Sequence, residues 1–228
     1  FILKKFPIKD SLGFFYDAIT QYLGFDFMDA GKTMGLASYG LPIYKFSEIE
    51  LTTDGYKINI NPRAKISIKN KPTLDKEEIV SDTWLRLLPR MGNRNIPRVT
   101  FDLTSSRLRE DLNLIQRHKN IASSAQKILE ETVLHLVAVA VRKTGCKNLC
   151  LSGGVALNCM LNGEIVKSGL VDKVFVPPFP NDIGVSVGAA LLLSKNKPKK
   201  ALKSASWGPE FTNREIKKVL DKYSIRYK

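Results

Sequence analysis

The apolar positions near the start of the chain recur with helical spacing. Between residues 11 and 23 they fall on one face of a helix, at Leu12, Phe15, Ile19, Tyr22 and Leu23. Ser11 or Asp10 can cap the start of this helix, and Gly24 can end it. Small residues then cluster over 29–40 and predict a second, short helix closed by Gly40. Its glycines would let a ligand or other backbone approach closely.

A hairpin and a long helix are predicted further along the chain. Asp54-Gly55 lies between two strand-like runs, 49–52 and 56–60, which is a hairpin pattern. Residues 61–103 carry scattered prolines and predict only short helices and loops. Apolar positions recur with helical spacing over 121–143, so we expect a long helix that ends at Gly145.

Strand and helix patterns alternate in the next fifty residues. The segments are a buried strand at 147–151, a helix at 155–167, a strand at 173–176 and a helix at 183–194. A strand–helix–strand unit implies two parallel strands joined by a crossover. The turn Ser152-Gly153-Gly154 and the sequence Pro180-Asn181-Asp182 would then lie at the carboxyl edge of one sheet, where open α/β sheets bind ligands.

The residues in these two turns suggest anion and metal chemistry. Gly153 and Gly154 would expose backbone N–H groups at the positive end of a helix, which suits phosphate, although such turns also arise for packing reasons. Asn158, expected on the first turn of that helix, could reach the same ligand. Asp182 at a helix start is either an N-cap or a metal ligand.

Composition fits a globular protein with one full core. The chain has 228 residues, of which 43% are apolar and 25% charged. Its net charge of +14 is concentrated in residues 186–228, which hold eleven basic and three acidic side chains. This segment reads either as a solvated linker or as a nucleic-acid contact. Seven of the eleven arginines fall within 86–117, where they either ring an anion or stay solvated.

Cysteine and histidine positions give no metal-binding or disulfide pattern. Cys146, Cys150 and Cys159 lack zinc-site spacing, so we expect buried, reduced thiols in a cytoplasmic protein. His118 and His135 are seventeen residues apart, without ligand spacing. No signal peptide or membrane-spanning run is visible, and because the sequence begins with Phe1 we interpret it as a piece of a longer chain.

Three motifs together resemble one enzyme family. They are GKTMGLASYG at 31–40, LSGGVALNC at 151–159 and PNDIGVSVGAAL at 180–191. In this order, with a long helix before the second, they resemble the nodulation-type O-carbamoyltransferases. The resemblance covers residues 1 to about 200, and WGPEF at 207–211 is similar to the opening of that family's C-terminal domain. The GGVAxN turn is more distantly similar to that of the tRNA threonylcarbamoyl transferases.

The resemblance implies a fold and a reaction. The fold would be α/β, the second lobe of a ribonuclease-H-like domain of the actin and sugar-kinase type, with a mixed sheet flanked by helices. Residues 1–198 would form this nucleotide- and metal-binding lobe, and 199–228 a linker and the start of an adenylate-forming C-terminal domain. That domain would make carbamoyl-adenylate from carbamoyl phosphate and ATP, and the lobe would transfer the carbamoyl group to a hydroxyl of a sugar or other small molecule.

The resemblance also implies site residues. Nucleotide contacts would come from Gly31, Lys32, Gly35, Gly153, Gly154 and Asn158, and Asp182 would bind a divalent metal, usually iron in this family. The family's two other metal ligands form a His-x-x-x-His motif that this chain lacks, so we expect them in the rest of the same polypeptide, without which the reaction would not be completed. No membrane or nucleic-acid partner is expected. The alternatives are a tRNA threonylcarbamoyl transferase relative, a nucleic-acid-binding module and a degenerate structural lobe.

Overall fold

A computed structural model of the protein describes residues 1–26, 28–59, 116–195, 204–206 and 208–227. Its helices are α1 (Leu12–Tyr22), α2 (Ala30–Ala37), α3 (Gln116–Thr144), α4 (Cys159–Lys167), α5 (Ile183–Leu193) and α6 (Asn213–Lys222). Its strands are β1 (Ile49–Thr52), β2 (Gly55–Ile58), β3 (Asn148–Cys150) and β4 (Lys173–Phe175). Two 3₁₀ turns, Ile8–Asp10 and Gly154–Leu157, precede α1 and α4. The predicted loops at 61–103 and all of the arginine-rich stretch before Arg117 lie outside the described residues.

The first helix is capped and buried as its sequence predicts. The Ser11 hydroxyl accepts a hydrogen bond from the N–H of Phe14, and Gly24, with φ of +90°, follows the last turn. Phe15, Ile19 and Leu23 are completely buried. They belong to a core that also includes Leu129 of α3 and residues Leu161 and Ile165 of α4. The core therefore forms between helices, with α3 running through it.

A ladder of hydroxyl groups joins α1 to α2. The Thr33 hydroxyl donates to the Thr20 hydroxyl at 2.9 Å, and Thr20 in turn donates to the carbonyl of Tyr16 at the same distance. Both threonines are completely buried, so each polar group has its partner inside the protein. This contact fixes α2 against the middle of α1.

The hairpin is confirmed, with its turn one residue earlier than predicted. β1 and β2 pair antiparallel with Thr52 opposite Gly55, so Thr53 and Asp54 form the turn and Gly55 begins the second strand. Gly55 has φ of +147°, a conformation that side chains disfavour. The end of α3 holds the hairpin, because Arg142 donates to the Thr53 carbonyl.

The expected single mixed sheet does not form among the described residues. β1 and β2 make one antiparallel pair, whereas β3 and β4 make a separate parallel pair. The parallel pairing itself is confirmed, with Leu149 opposite Val174. The α/β class therefore holds. The strands of the hairpin pair only with each other, and its turn is held against the end of α3 by Arg142, so the hairpin does not extend the parallel pair.

The predicted helix at 155–167 is broken. Residues Gly154–Leu157 form a 3₁₀ turn, and the α-helix begins only at Cys159, with Asn158 as its N-cap. The break follows from Asn158, whose extended backbone ends the 3₁₀ turn while its side-chain oxygen accepts the N–H of Leu161 at 2.9 Å. The helix start expected directly after Gly154 is thus displaced by four residues.

The region around the parallel strands is more exposed than predicted. No residue of β3 or β4 is buried, and Cys146, Cys150 and Cys159 are all exposed free thiols, so the prediction of buried cysteines is wrong. Helix α5 is apolar on every side yet has no buried residue, and Leu193 is 84% exposed. A parallel pair is normally covered on both faces, and the described residues do not supply that cover.

The last helix, α6, lies at the surface. A capping box at Thr212 and Glu215 begins α6, and none of its residues is buried. Across the described ranges, no helix combines the length and the apolar character needed to cross a bilayer.

Gly40 provides a test of the packing of α2 against α3. A β-carbon at this position would overlap the backbone carbonyl of Lys119, which cannot move aside as a side chain can. We expect Gly40→Ala to lower the free energy of unfolding by about 1–3 kcal/mol. Gly35→Ala is the matched control, since its β-carbon would meet open space and alanine favours a helix by up to about 1 kcal/mol. Urea unfolding of both variants measures the difference, and equal stability would contradict this packing.

Candidate functional site

One cavity of about 500 Å³ lies where α1, α2, α3 and the Gly154–Leu157 turn meet. Its wall is mostly apolar and glycine-rich, with a small number of polar side chains. Its lining includes Gly13, Tyr16, Asp17, Gly31, Gly154 and Asn158. The starts of α1 and α2 both border the cavity, and helix starts carry partial positive charge.

The floor of the cavity is a network of buried amides. Gln126 and Asn158 bind each other through two hydrogen bonds: Asn158 Nδ2 donates to Gln126 Oε1 at 2.8 Å, and Gln126 Nε2 donates to Asn158 Oδ1 at 3.1 Å. The Tyr16 hydroxyl also donates to Gln126 Oε1, at 2.8 Å. Three segments, α1, α3 and the cap of α4, are therefore joined at one point.

Burial keeps the tyrosine of this network neutral. Desolvation raises the pKa of Tyr16 far above its ordinary value, and the neighbouring Glu130 carboxylate adds to the effect. Burial also raises the pKa of Glu130, which accepts a hydrogen bond from Gln126 at 2.7 Å. The Tyr16 hydroxyl is thus a fixed hydrogen-bond donor, and Gln126 keeps a single orientation because both its donor and its acceptor are engaged.

Asn158 lines the cavity, but its side chain is already hydrogen-bonded within the protein. It is only 9% exposed, and its side chain caps α4 and binds Gln126 at the same time. The expectation that Asn158 reaches a ligand from the first turn of a helix therefore changes, because Asn158 precedes the helix. Its first role is to hold the turn that carries Gly154 against α3.

Asp17 is a lining residue that the sequence pattern does not reveal. It is half-buried, and burial raises the pKa of its carboxyl group to about 6. Within the ranges that the structure describes, no hydrogen bond or ion pair is made by this carboxyl group. Position 17 lies outside the apolar face of α1, so the periodicity predicts a solvent-exposed side chain there. Only the packing of α2 and the 154–157 turn brings the carboxyl group into a cavity.

The two glycines of the Ser152-Gly153-Gly154 turn have different surroundings. The N–H of Gly153 donates to the carbonyl of Pro180 at 2.7 Å, which ties together the loops that follow β3 and β4. Gly153 has φ of +98° and is therefore a structural turn residue, and its N–H group is already hydrogen-bonded. Gly154 lines the cavity, and a β-carbon there would meet open space. Of the two amides expected to hold phosphate, Gly154 is the one that remains.

On α2, one of the three predicted residues lines the cavity. Gly31 lines the cavity, and a β-carbon on it would also meet open space. A larger side chain at this position would therefore fill part of the cavity. Lys32 forms an exposed ion pair with Asp29 at 2.7 Å. Gly35, one turn further along the helix, is exposed and is not among the lining residues. The motif at 31–40 thus lies on a helix that borders the cavity, and packing decides which of its residues line the wall.

Asp182 is exposed at the start of α5, and its side chain makes no capping hydrogen bond. Its neighbour Asn181 lines the cavity. The described part of the chain holds no group of three or more His, Cys, Asp or Glu side chains that could bind a metal ion. Asp182 can therefore offer one carboxylate, and the described residues do not form a metal site around it.

The two histidines lie elsewhere. His118 is buried at the start of α3, and burial together with the nearby Arg117 lowers its pKa. The ring of His135 binds the carbonyl of Thr52 at 2.7 Å. Each therefore has a place in the packing of α3, and neither lines the cavity.

The chain matches one family model over most of its length. Residues 1–191 match the model described as the N-terminus of carbamoyltransferases. The nodulation protein NolO of Bradyrhizobium diazoefficiens is 33% identical over 223 residues, which cover 93% of this chain and 34% of that protein. The nodulation protein NolNO of Sinorhizobium fredii is 33% identical over 218 residues, covering 91% of this chain and 27% of that protein.

A shorter match has higher identity. Nodulation protein U of Rhizobium tropici is 40% identical over 75 residues, which are 32% of this chain and 13% of that protein. The chain thus spans between about a quarter and a third of the length of the NolO and NolNO proteins.

The raised pKa of Asp17 predicts how stability depends on pH. Because the folded pKa of about 6 lies above the ordinary value of 3.8, the ionised carboxylate is disfavoured in the folded state. Stability associated with Asp17 is fully present below pH 4 and is lost as pH rises through 6. We therefore expect the Asp17→Asn variant to unfold at a higher urea concentration than wild type at pH 7.5. The difference between the two unfolding midpoints should shrink as the pH falls to 5.

The difference between the two proteins isolates Asp17, since Glu130 titrates in both. An advantage of Asp17→Asn that is equal at both pH values would contradict a buried, unpaired carboxylate at this position. Asp172→Asn is the control, because Asp172 is exposed before β4; we expect no pH-dependent advantage for it.

Proposed function

The chain belongs to the carbamoyltransferase family, and from this premise we propose that it forms the nucleotide-binding part of an ATP-dependent O-carbamoyltransferase. The observation that supports the proposal most strongly is the cavity, because two regions with family motifs, on α2 and at the Ser152-Gly153-Gly154 turn, both contribute glycines to its wall. These regions are more than one hundred residues apart in the sequence. A glycine-lined wall lets a ligand approach the backbone closely.

The proposed reaction moves a carbamoyl group from a carbamoyl-adenylate to a hydroxyl group of a sugar or other small molecule. The hydroxyl oxygen bonds to the carbamoyl carbon, the bond between that carbon and the adenylate phosphate oxygen breaks, and AMP leaves. The hydroxyl proton passes to a base or to solvent. In this scheme the residues of the cavity bind and orient the adenylate, which lowers the barrier through positioning.

Phosphate binding is assigned to the side of the cavity formed by Gly154. Its N–H group, the start of α1 and the start of α2 all favour negative charge. Gly31 faces the same cavity and leaves room for the nucleoside. Lys32, Gly35 and Gly153 are assigned supporting roles, through the local structure of α2 and of the turn.

Asp182 would supply one oxygen ligand to a divalent metal, for which iron is the family expectation. Because the described residues contain no further ligands beside it, we derive no chemical step through the metal. The metal, when bound, would act as a Lewis acid toward phosphate or carbamoyl oxygen.

The rest of a longer polypeptide is the proposed partner of this chain. The NolO and NolNO proteins are about three to four times as long as the matched region. Two observations support a partner at the parallel strands: β3 and β4 have no buried residue, and α5 is apolar with no buried residue. Completion of a ribonuclease-H-like lobe by further strands would cover both, since parallel strands are normally buried.

A nucleic-acid-binding role is the second candidate. Its support is the excess of basic side chains in residues 186–228. Helix α6 carries Lys217, Lys218 and Lys222, all exposed. Such a role would give affinity for RNA that falls steeply with salt. Among the described lining residues of the cavity, the charged side chain is the acidic Asp17, which does not favour a polyanion.

A matched pair of glycine variants tests nucleotide binding at the cavity. Gly31→Leu would fill space at the wall, whereas Gly35→Leu adds the same side chain one turn further along α2, outside the lining. We expect Gly31→Leu to weaken ADP binding at least tenfold in calorimetric titration, and Gly35→Leu to bind like wild type. Unfolding curves would check that both variants fold equally well.

Equal ADP affinity of the two variants would contradict the assigned cavity. Transfer of a carbamoyl group to a hydroxyl acceptor by the longer protein, lost in Gly31→Leu and kept in Gly35→Leu, would connect the cavity to the reaction.

A further inference from the structure

We propose that Cys159, Met34 and Met160 form a surface site for a soft monovalent metal ion, Cu(I), where the start of α4 meets α2. The inference is carried by the spacing between a thiol and a thioether, by their access to solvent, and by the different surroundings of the other described cysteines. It is independent of the proposed nucleotide function and of Asp182.

Helices α2 and α4 meet through sulfur atoms. Residues 34 and 38 lie one turn apart on one face of α2. The first two residues of α4 lie against this face: the Cys159 thiol donates to Sδ of Met34, and the Ser38 hydroxyl donates to Sδ of Met160, both at 3.8 Å. We call these four residues the sulfur seam. Met34 also lines the cavity, whereas Cys159 and Met160 do not, so the sulfur seam lies beside the cavity and not within it.

The separation of the two sulfur atoms suits a shared metal ion. A metal–sulfur bond is about 2.3 Å long, so an ion equidistant from Sγ of Cys159 and Sδ of Met34, which are 3.8 Å apart, would bind them at an angle of about 110°. That angle is close to tetrahedral, so the two ligands need no rearrangement of the helices. Met160, the next residue of α4, has a flexible side chain that supplies a third sulfur atom.

The donor atoms of the sulfur seam select the class of ion. Thiolate and thioether sulfur atoms are soft ligands that favour Cu(I), whereas Mg²⁺ and Ca²⁺ take oxygen ligands. Structural Zn²⁺ sites use four Cys and His ligands, and the sulfur seam has one thiol and no imidazole. Cys159 is exposed and both methionines are only partly buried, so an ion reaches them from solvent. The thiol releases its proton to solvent when the ion binds.

Two other cysteines of the described chain provide a comparison. Cys146 and Cys150 are exposed free thiols as well. The Cys146 thiol donates to the carbonyl of Asn148 at 3.5 Å, and among the described residues neither thiol has a hydrogen-bonding contact with a second sulfur atom. Each of them would bind Cu(I) through one protein ligand, whereas the sulfur seam offers two or three. The ion is therefore expected to prefer Cys159.

The test is an anaerobic titration with Cu(I) in competition with ferrozine, a coloured chelator of this ion. The starting protein is Cys146→Ser/Cys150→Ser, in which Cys159 is the remaining cysteine. We expect this protein to bind one Cu(I), and Met34→Leu in the same protein to bind it at least tenfold more weakly. Cys159→Ser should lose the binding. Leucine has a similar volume to methionine, so packing is retained.

Met28→Leu is the matched control, because it removes an exposed thioether outside the sulfur seam; it should bind Cu(I) as the starting protein does. X-ray absorption of the Cu(I) form, prepared without added thiols, should show two or three sulfur ligands at about 2.3 Å and does not depend on any methionine variant. Circular dichroism melting checks that the variants fold. Equal affinity of Met34→Leu and the starting protein, a single sulfur ligand in the spectrum, or failure to take Cu(I) from ferrozine would each overturn the inference.

Discussion

The two hydrogen bonds between the amides of Gln126 and Asn158 are the contact on which the rest of the cavity depends. A buried amide that lacks a partner costs about 1–3 kcal/mol, so this pair is stable only when α3 and the cap of α4 lie together in one geometry. Tyr16 adds a third donor and brings α1 to the same point. Through this one junction, the turn carrying Gly154 is held opposite α1.

Asn158 shows how one residue can serve fold and site together. Its side-chain oxygen accepts the N–H of Leu161, which starts α4 late and leaves residues Gly154–Leu157 as a separate 3₁₀ turn. A continuous helix from Gly154 would direct the backbone differently and would leave Asn158 on a helix surface. The asparagine of the family motif is therefore explained first as the residue that shapes the turn, and then as a residue that lines the cavity.

Asp17 has the opposite character, since it contributes nothing evident to the fold. Burial without a partner raises its pKa, which means that the ionised form opposes folding at neutral pH. Sites that bind ligands commonly retain such unfavourable groups, because the partner arrives with the ligand. Among the described residues, the cavity thus combines a stable amide floor with the carboxylate of Asp17, which has no partner.

The sequence predicted the local elements well. Helical spacing located α1 and α3, the Asp54-Gly55 pair located the hairpin, and alternation of strand and helix patterns located the parallel pair. Motifs also drew attention to α2 and to the Gly153-Gly154 turn, and Gly31 and Gly154 from these two segments line the same cavity. These features depend on neighbours within a few residues, which the sequence displays directly.

Two of the differences are local: the Asn158 cap on Leu161 starts α4 late, and the hairpin turn is shifted by one residue. The others concern contacts between distant residues, such as the Gly153 amide, which is bonded to the carbonyl of Pro180. The exposure of Cys150 and of α5 depends on which surfaces the described residues cover, and apolar runs alone predicted burial. Asp17 lies outside the apolar pattern of its helix, so only tertiary packing could place it at the cavity.

A crystal structure of the protein with ADP tests the central claim most directly. We expect the nucleotide in the cavity between α1, α2 and the Gly154–Leu157 turn, with phosphate beside Gly154 and with the Gln126–Asn158 pair intact. A nucleotide bound elsewhere, or bound in the cavity with the amide pair broken, would contradict it.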